Sequence, residues 1–237
     1  MWSGEMQINS IFNSIDGEVN YYGQGSLTTF IRLQGCNLRC AYCDTPQAQV
    51  GGGDSFEMTP SEIFKKIKKQ GVSKITITGG EPLNQRKELI RLLEMINRES
   101  NWDCRITVET NGSKSLKGIT VLASWVVDYK LPSSGMEAAM NHDSFFYLGP
   151  HDVVKFVIAD KKDFNAAIVF IEETWSEPRL SLEFPLLAFS PVIKRTGKKS
   201  KPVVTPQRLM SWLFETRIPK LYRTALNIQL HKIIGLP

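Results

Sequence analysis

Long apolar runs are missing from this chain of 237 residues. None approaches the ~20 residues that a membrane helix needs, so no membrane contact is expected. The opening "MWSGEMQINSIFNSIDGE" lacks a basic stretch followed by an apolar one, which argues against a secretory leader and for a cytoplasmic location. Cysteine is scarce, at four, and Cys36, Cys40 and Cys43 crowd into one short loop, which excludes a disulfide framework. Histidine is scarcer still, at three. No internal repeat or long linker divides the chain, and its length suits a single domain over 1–237 able to bury a core.

What is present is ordinary in bulk, with 42% hydrophobic and 22% charged residues. The net charge of +5 comes from one stretch, "IKRTGKKSKP", with Lys194, Arg195, Lys198, Lys199 and Lys201. A run of this kind suits a polyanion, but no aromatic residue is interleaved for base stacking, so a solvated loop is expected and no direct nucleic-acid contact.

Strand and helix signals alternate along the chain. "SLTTFIRLQ" (26–34), "SKITIT" (73–78), "CRITVET" (104–110), "SWVVDYK" (124–130), "VVKFVI" (153–158) and "FPLLAFS" (184–190) read as strands. "TPSEIFKKIKK" starts a helix with Thr59 as cap, Pro60 at the first position and Glu62 completing a capping box. "QRKELIRLLEMINRE" turns Leu89, Leu92, Leu93 and Ile96 inward, and "KKDFNAAIVFIEETW" turns Phe164, Ile168 and Ile171 inward. "TPQRLMSWLFETR" repeats the Thr-Pro start, and "ALNIQLHKII" is expected to close the chain as a strand. The alternation predicts an α/β fold with a parallel sheet, open or closed into a partial barrel, whose chemistry collects at the C-terminal ends of the strands. Those ends carry the cysteine loop, Thr78-Gly79-Gly80-Glu81, Glu109, Asp128, Lys130 and Ser190.

"GCNLRCAYCDT" (35–45) sets its thiols as C-x3-C-x2-C. A zinc site would need a fourth ligand, and His142, His151 and His231 are all distant in sequence. Cys104 begins a strand and reads as a small buried residue rather than a ligand. A cubane iron–sulfur cluster on three cysteines would leave one iron open to a ligand.

With Tyr42 before the last cysteine, the array resembles the signature of the radical S-adenosylmethionine superfamily, and "TGGEP" (78–82) is similar to its Gly-Gly-Glu-Pro motif. Over "IFNSIDGEVNYYGQGSLTTFIRLQGCNLRCAYCDT", "DYKLPSSGM", "VVKFVI" and "QLHKIIGLP" the chain resembles the 7-carboxy-7-deazaguanine synthases. The resemblance implies a partial (β/α) barrel holding a [4Fe-4S] cluster on Cys36, Cys40 and Cys43. It also implies S-adenosylmethionine and Mg2+, the latter at Thr45. The implied reaction is ring contraction of 6-carboxy-5,6,7,8-tetrahydropterin to 7-carboxy-7-deazaguanine with loss of ammonia, a step toward queuosine and other deazapurines.

Cofactor contacts are implied for Gly79, Gly80 and the Glu81 side chain, then for Glu109, Asp128, Lys130 and Ser190. Substrate contacts are implied for Ile15, Asp16, Gly17, Glu18, Arg32, Thr78, His231 and the terminal Pro237, the last brought in by a C-terminal strand that closes the site. Arg32 can fork onto a carboxylate. Asp16 and Val19 depart from the family's usual glutamine and glycine. A homodimer and a reductase such as flavodoxin or ferredoxin are implied as partners. Two readings compete: another radical enzyme, such as a glycyl-radical activase, and a non-catalytic zinc- or nucleic-acid-binding module.

Overall fold

The computed structural model describes residues 4–50, 55–99, 103–175, 183–196 and 199–236, with 194–196 and 199–201 as backbone. Seven strands run parallel and adjacent, β11 (Thr224–Leu226), β8 (Leu186–Pro191), β7 (Val153–Ile158), β6 (Ser124–Tyr129), β5 (Arg105–Thr110), β4 (Lys74–Gly79) and β2 (Leu27–Leu33). β1 (Met6–Ile15) continues the sheet antiparallel to β2, and β3 (Phe56–Met58) ends it antiparallel to β1. β3 and β11 do not meet, so the sheet stays open as a partial barrel.

The period of two decides what each strand does. Ile31, Leu33, Ile75, Ile77, Val108, Trp125, Val127, Phe156 and Leu187 belong to one buried apolar core. α1 (Pro60–Gln70), α2 (Arg86–Arg98) and α3 (Lys161–Thr174) add Ile63, Ile67, Leu89, Leu92, Leu93, Ile96, Phe164 and Phe170 to it. Among the alternate positions, Thr28, Arg32, Thr76, Thr78, Glu109, Asp128, Lys155 and Ser190 are polar and line the inner face, beside Phe30 and a small apolar cluster of Val126, Val153 and Ala188. An ordinary covered parallel sheet is apolar on both faces, so this polar stripe marks where a ligand would lie.

Helix starts follow their sequence signals. Thr59 and Glu62 form the expected capping box with Pro60 at the first position, and Thr205 caps α4 (Pro206–Phe214). On α3 the buried apolar face is Phe164, Ala167, Phe170 and Ile171, with Ile168 only half-buried, and Phe170 stacks on Tyr129 at 3.7 Å between ring centroids.

Two segments differ from expectation. The described parts of the basic stretch are paired rather than looped, β9 (Ile193–Thr196) running antiparallel to β10 (Lys199–Pro202). The end of the chain is not one long strand. β11 pairs with β8 over three residues, then Asn227 turns the chain and Leu230–Ile234 forms the short helix α6, following the four-residue α5 (Ile218–Leu221). Gly235 ends α6 at φ 74°, the left-handed conformation that favours glycine at a helix end. Ile233 and Ile234 are exposed, so their apolar character signalled neither a strand nor burial. Among the described residues no helix is long and apolar enough to cross a membrane.

Candidate active site

The cysteine loop lies directly on the end of β4. Gly80 donates its N–H to Leu33 O at 2.9 Å, Glu81 N–H reaches Gly35 O at 2.8 Å, and Gly35 N–H reaches Ala48 O at 2.8 Å. A Cβ on Gly80 would fall 2.1 Å from the Gly35 carbonyl oxygen, and one on Gly79 would fall 2.2 Å from that of Leu33. Gly79 also holds φ 124°, which side chains disfavour. The two glycines therefore let the loop sit against the strand end. Glu81 is fully buried and accepts from Thr110 Oγ1, Asn111 N–H and Leu83 N–H at 2.7, 2.7 and 2.9 Å. Its carboxylate thereby braces the ends of β4 and β5.

Cys36, Cys40 and Cys43 are free and half-buried. Burial raises the Cys40 thiol above its usual pKa; Lys130 opposes this, and the charges of Asp128, Cys36 and Cys43 add to it. Among the described residues no three His, Cys, Asp or Glu side chains are yet drawn to metal-binding distance of one another. The donor set itself, three neighbouring thiols without a fourth protein ligand, fits a cluster with one open iron. Cys104 lies just before β5, at the opposite end of that strand from the loop, and burial raises its thiol to about 12. Thr45 precedes a short helical turn at 46–48 yet makes no capping bond, and its hydroxyl lies 3.9 Å from Cys43 Sγ.

Arg32 pairs in register with Thr78 across β2 and β4, and its guanidinium stands 5.0 Å from the Phe12 ring centroid. Its Nε is buried with no hydrogen-bond partner among the described residues. Thr78 Oγ1 donates to Glu109 at 2.8 Å. Burial, reinforced by the Glu18 charge, raises Glu109 to about 8. Asp128 goes the other way: burial pushes it up, but Lys130 at 2.7 Å and Lys155 at 3.1 Å outweigh that and hold it below the usual carboxylate value. Glu18 is likewise lowered, because Lys155 outweighs its burial. Tyr42 places a buried hydroxyl, also without a partner among the described residues, within the field of Lys130 and Asp128.

Ile15, Asp16, Gly17 and Glu18 form a turn held from both sides. Asp16 N–H bonds Ser26 O at 2.8 Å, and its carboxylate pairs with Lys74 at 2.8 Å and accepts from Thr76 at 2.9 Å. At 1% exposure the Asp16 carboxylate is enclosed with these two partners. Gly17 O accepts from Leu230 N–H at 2.9 Å and Gln24 Nε2 at 2.8 Å. A Cβ at Gly17 would lie 2.1 Å from His231 Nδ1, so glycine is needed for α6 to dock. Glu18 is tied to Lys155 and Gln229, another carboxylate already engaged. Lys232 pairs with Asp44 at 2.6 Å, linking α6 to the cysteine loop. Ser190, buried at the end of β8, receives Asn227 Nδ2 at 3.4 Å. Pro237 lies outside the described residues.

Sequence reading missed Lys155, Asp44, Asn227, Gln229 and Lys232. Only Lys155 carried a usable signal, a charge in the middle of the apolar strand "VVKFVI". The others act through contacts between distant segments, which no local pattern shows.

A thiol loop seated on the ends of parallel strands in an open barrel defines a radical S-adenosylmethionine protein, and the profile described as "Radical SAM superfamily" matches residues 30–128. That membership implies an iron–sulfur cluster and S-adenosylmethionine. The 7-carboxy-7-deazaguanine synthase of Koribacter versatilis is 34% identical over 98% of this chain and 98% of its own, and that of Clostridium acetobutylicum is 37% identical over 95% and 94%. The crystal structure of QueE from Escherichia coli shares the fold, with a TM-score of 0.69 over 94% of this chain and 93% of that one, at 21% identity. The chain belongs to the 7-carboxy-7-deazaguanine synthase family.

Proposed function

We propose that the protein converts 6-carboxy-5,6,7,8-tetrahydropterin to 7-carboxy-7-deazaguanine with release of ammonia, in deazapurine and queuosine biosynthesis. The near full-length similarity to curated synthases carries this reading. The buried, unpartnered Nε of Arg32 on the inner face supports it, since a guanidinium in that state calls for an anion such as the pterin carboxylate. When bound, the cluster and S-adenosylmethionine supply a 5′-deoxyadenosyl radical that begins the chemistry. Cys36, Cys40 and Cys43 hold the cluster, while backbone groups of Gly79 and Gly80 with Asp128, Lys130 and Ser190 position the cofactor.

On the substrate side, Arg32 orients the carboxylate, and Thr78 and backbone groups of Ile15–Glu18 meet the ring, while Glu109, which accepts from the Thr78 hydroxyl, belongs to the cofactor set. His231 meets the substrate from the side of the Ile15–Glu18 turn, and the terminal Pro237 is a further substrate contact of this reading. Thr45, whose hydroxyl makes no capping bond, would hold Mg2+. We place the protein in the cytoplasm as a homodimer of one radical domain over 1–237, reduced by a flavodoxin- or ferredoxin-type protein. An activase reading lacks any use for Arg32, Thr45 and the Ile15–Glu18 turn together.

Arg32→Ala tests the substrate side. Losing a charge-assisted, two-pronged contact of about 1.5–3 kcal/mol raises KM for the pterin on the order of 10- to 100-fold, while S-adenosylmethionine affinity is retained. Arg32→Lys recovers only part, because ammonium lacks the planar fork. An unchanged pterin KM in Arg32→Ala would remove the carboxylate role.

A further inference from the structure

Lys155 is 8% exposed on β7, between Val154 and Phe156, which are wholly buried in the core. A lysine in such a place is retained only with well-placed partners. Its Nζ meets Glu18 Oε2 and lies 3.1 Å from Asp128 Oδ1. The Asp128 contact follows from the sheet, where Asp128 and Lys155 face each other across β6 and β7. The Glu18 contact does not; it reaches a turn 137 positions earlier in the chain. Each carboxylate has a second partner on its far side, Gln229 for Glu18 and Lys130 for Asp128. A continuous chain thus runs from the segment before α6, through the substrate turn, to the end of β6.

We infer that Lys155 is a positioning residue that couples the two halves of the site, so that substrate and S-adenosylmethionine strengthen each other's binding through the Glu18–Lys155–Asp128 bridge. The inference rests on the proposed function and deepens it. Because Glu18 and Asp128 share Lys155, a ligand contact that shifts the Ile15–Glu18 turn changes the hold on Asp128 and Lys130 on the cofactor side. Linkage makes the effect reciprocal. A lysine that served stability alone would lower the melting temperature when replaced and leave the mutual enhancement intact.

The test uses cluster-loaded protein without reductant, where S-adenosylmethionine binds but is not cleaved. Equilibrium dialysis gives the S-adenosylmethionine Kd with and without saturating 6-carboxy-5,6,7,8-tetrahydropterin under anaerobic conditions. The wild-type ratio is expected to be about fivefold or more, to fall to about one in Lys155→Met, and to recover substantially in Lys155→Arg. If Lys155→Met does not give folded protein, Lys155→Gln, which keeps a neutral donor, carries the same comparison. A ratio in the neutral variant equal to that of the wild type overturns the inference and leaves the proposed function standing, as does a wild-type ratio of one with both ligands bound. A wild-type protein that binds S-adenosylmethionine but no pterin overturns both.

Discussion

Glu109 has its carboxyl buried beside the Glu18 charge, and the pKa of about 8 that results has a consequence for stability. The unfolded chain releases this proton near 4.5, whereas the folded protein keeps it until about 8. The folded state therefore binds more protons across that window, and this group's contribution to stability falls as pH rises through it. Glu109→Gln keeps an oxygen for the Thr78 hydroxyl and removes the ionisation. The melting temperature of the variant relative to wild type should rise between pH 5 and pH 8.5; a difference independent of pH would show that Glu109 titrates normally. Nothing in "TVET" indicates this behaviour, because the burial comes from the assembled fold and the charges that raise Glu109, Glu18 and Asp16, lie on a turn distant in sequence. Arg32 and Thr78, by contrast, stood at recognisable positions at the ends of strands. Asp16 and Glu81 were recognisable as acidic groups near the site, but their pairing with Lys74 and with Thr110 and Asn111 was not.

At the scale of elements, local signals placed α1, α2, α4 and the six main strands, since capping residues and apolar spacing act within a few positions. The C-terminal segment escaped that reading. Its conformation is set by Asn227, whose Oδ1 accepts Val19 N–H at 2.9 Å and whose own N–H reaches Phe189 O at 2.8 Å. Asn227 is wholly buried, so one side chain ties the substrate turn, β8 and the approach to α6 together. Asn227→Ala leaves the Val19 N–H without its partner and should cost about 1–3 kcal/mol in denaturant melts. Amide exchange at Leu230 and Val19 should accelerate more than at the centre of β6. Uniform protection in the variant would mean that α6 docks without Asn227.

For the whole molecule, the open barrel divides the four cysteines by position: three on the loop at one end of the strands, Cys104 at the other. Alanine at Cys36, Cys40 or Cys43 should abolish iron and sulfide uptake and the broad visible absorbance of the reconstituted protein, whereas Cys104→Ala should retain both. Loss of the cluster in Cys104→Ala would contradict the assignment of three ligands. The same division rules against a zinc module, because the fourth cysteine is too far round the fold to complete a set. The most direct measurement is an anaerobic incubation of reduced, cluster-loaded protein with S-adenosylmethionine, Mg2+ and 6-carboxy-5,6,7,8-tetrahydropterin, read by mass spectrometry. The account predicts 7-carboxy-7-deazaguanine and ammonia in equal amounts, dependent on the pterin and on S-adenosylmethionine; cleavage of S-adenosylmethionine with no deazapurine formed would contradict it.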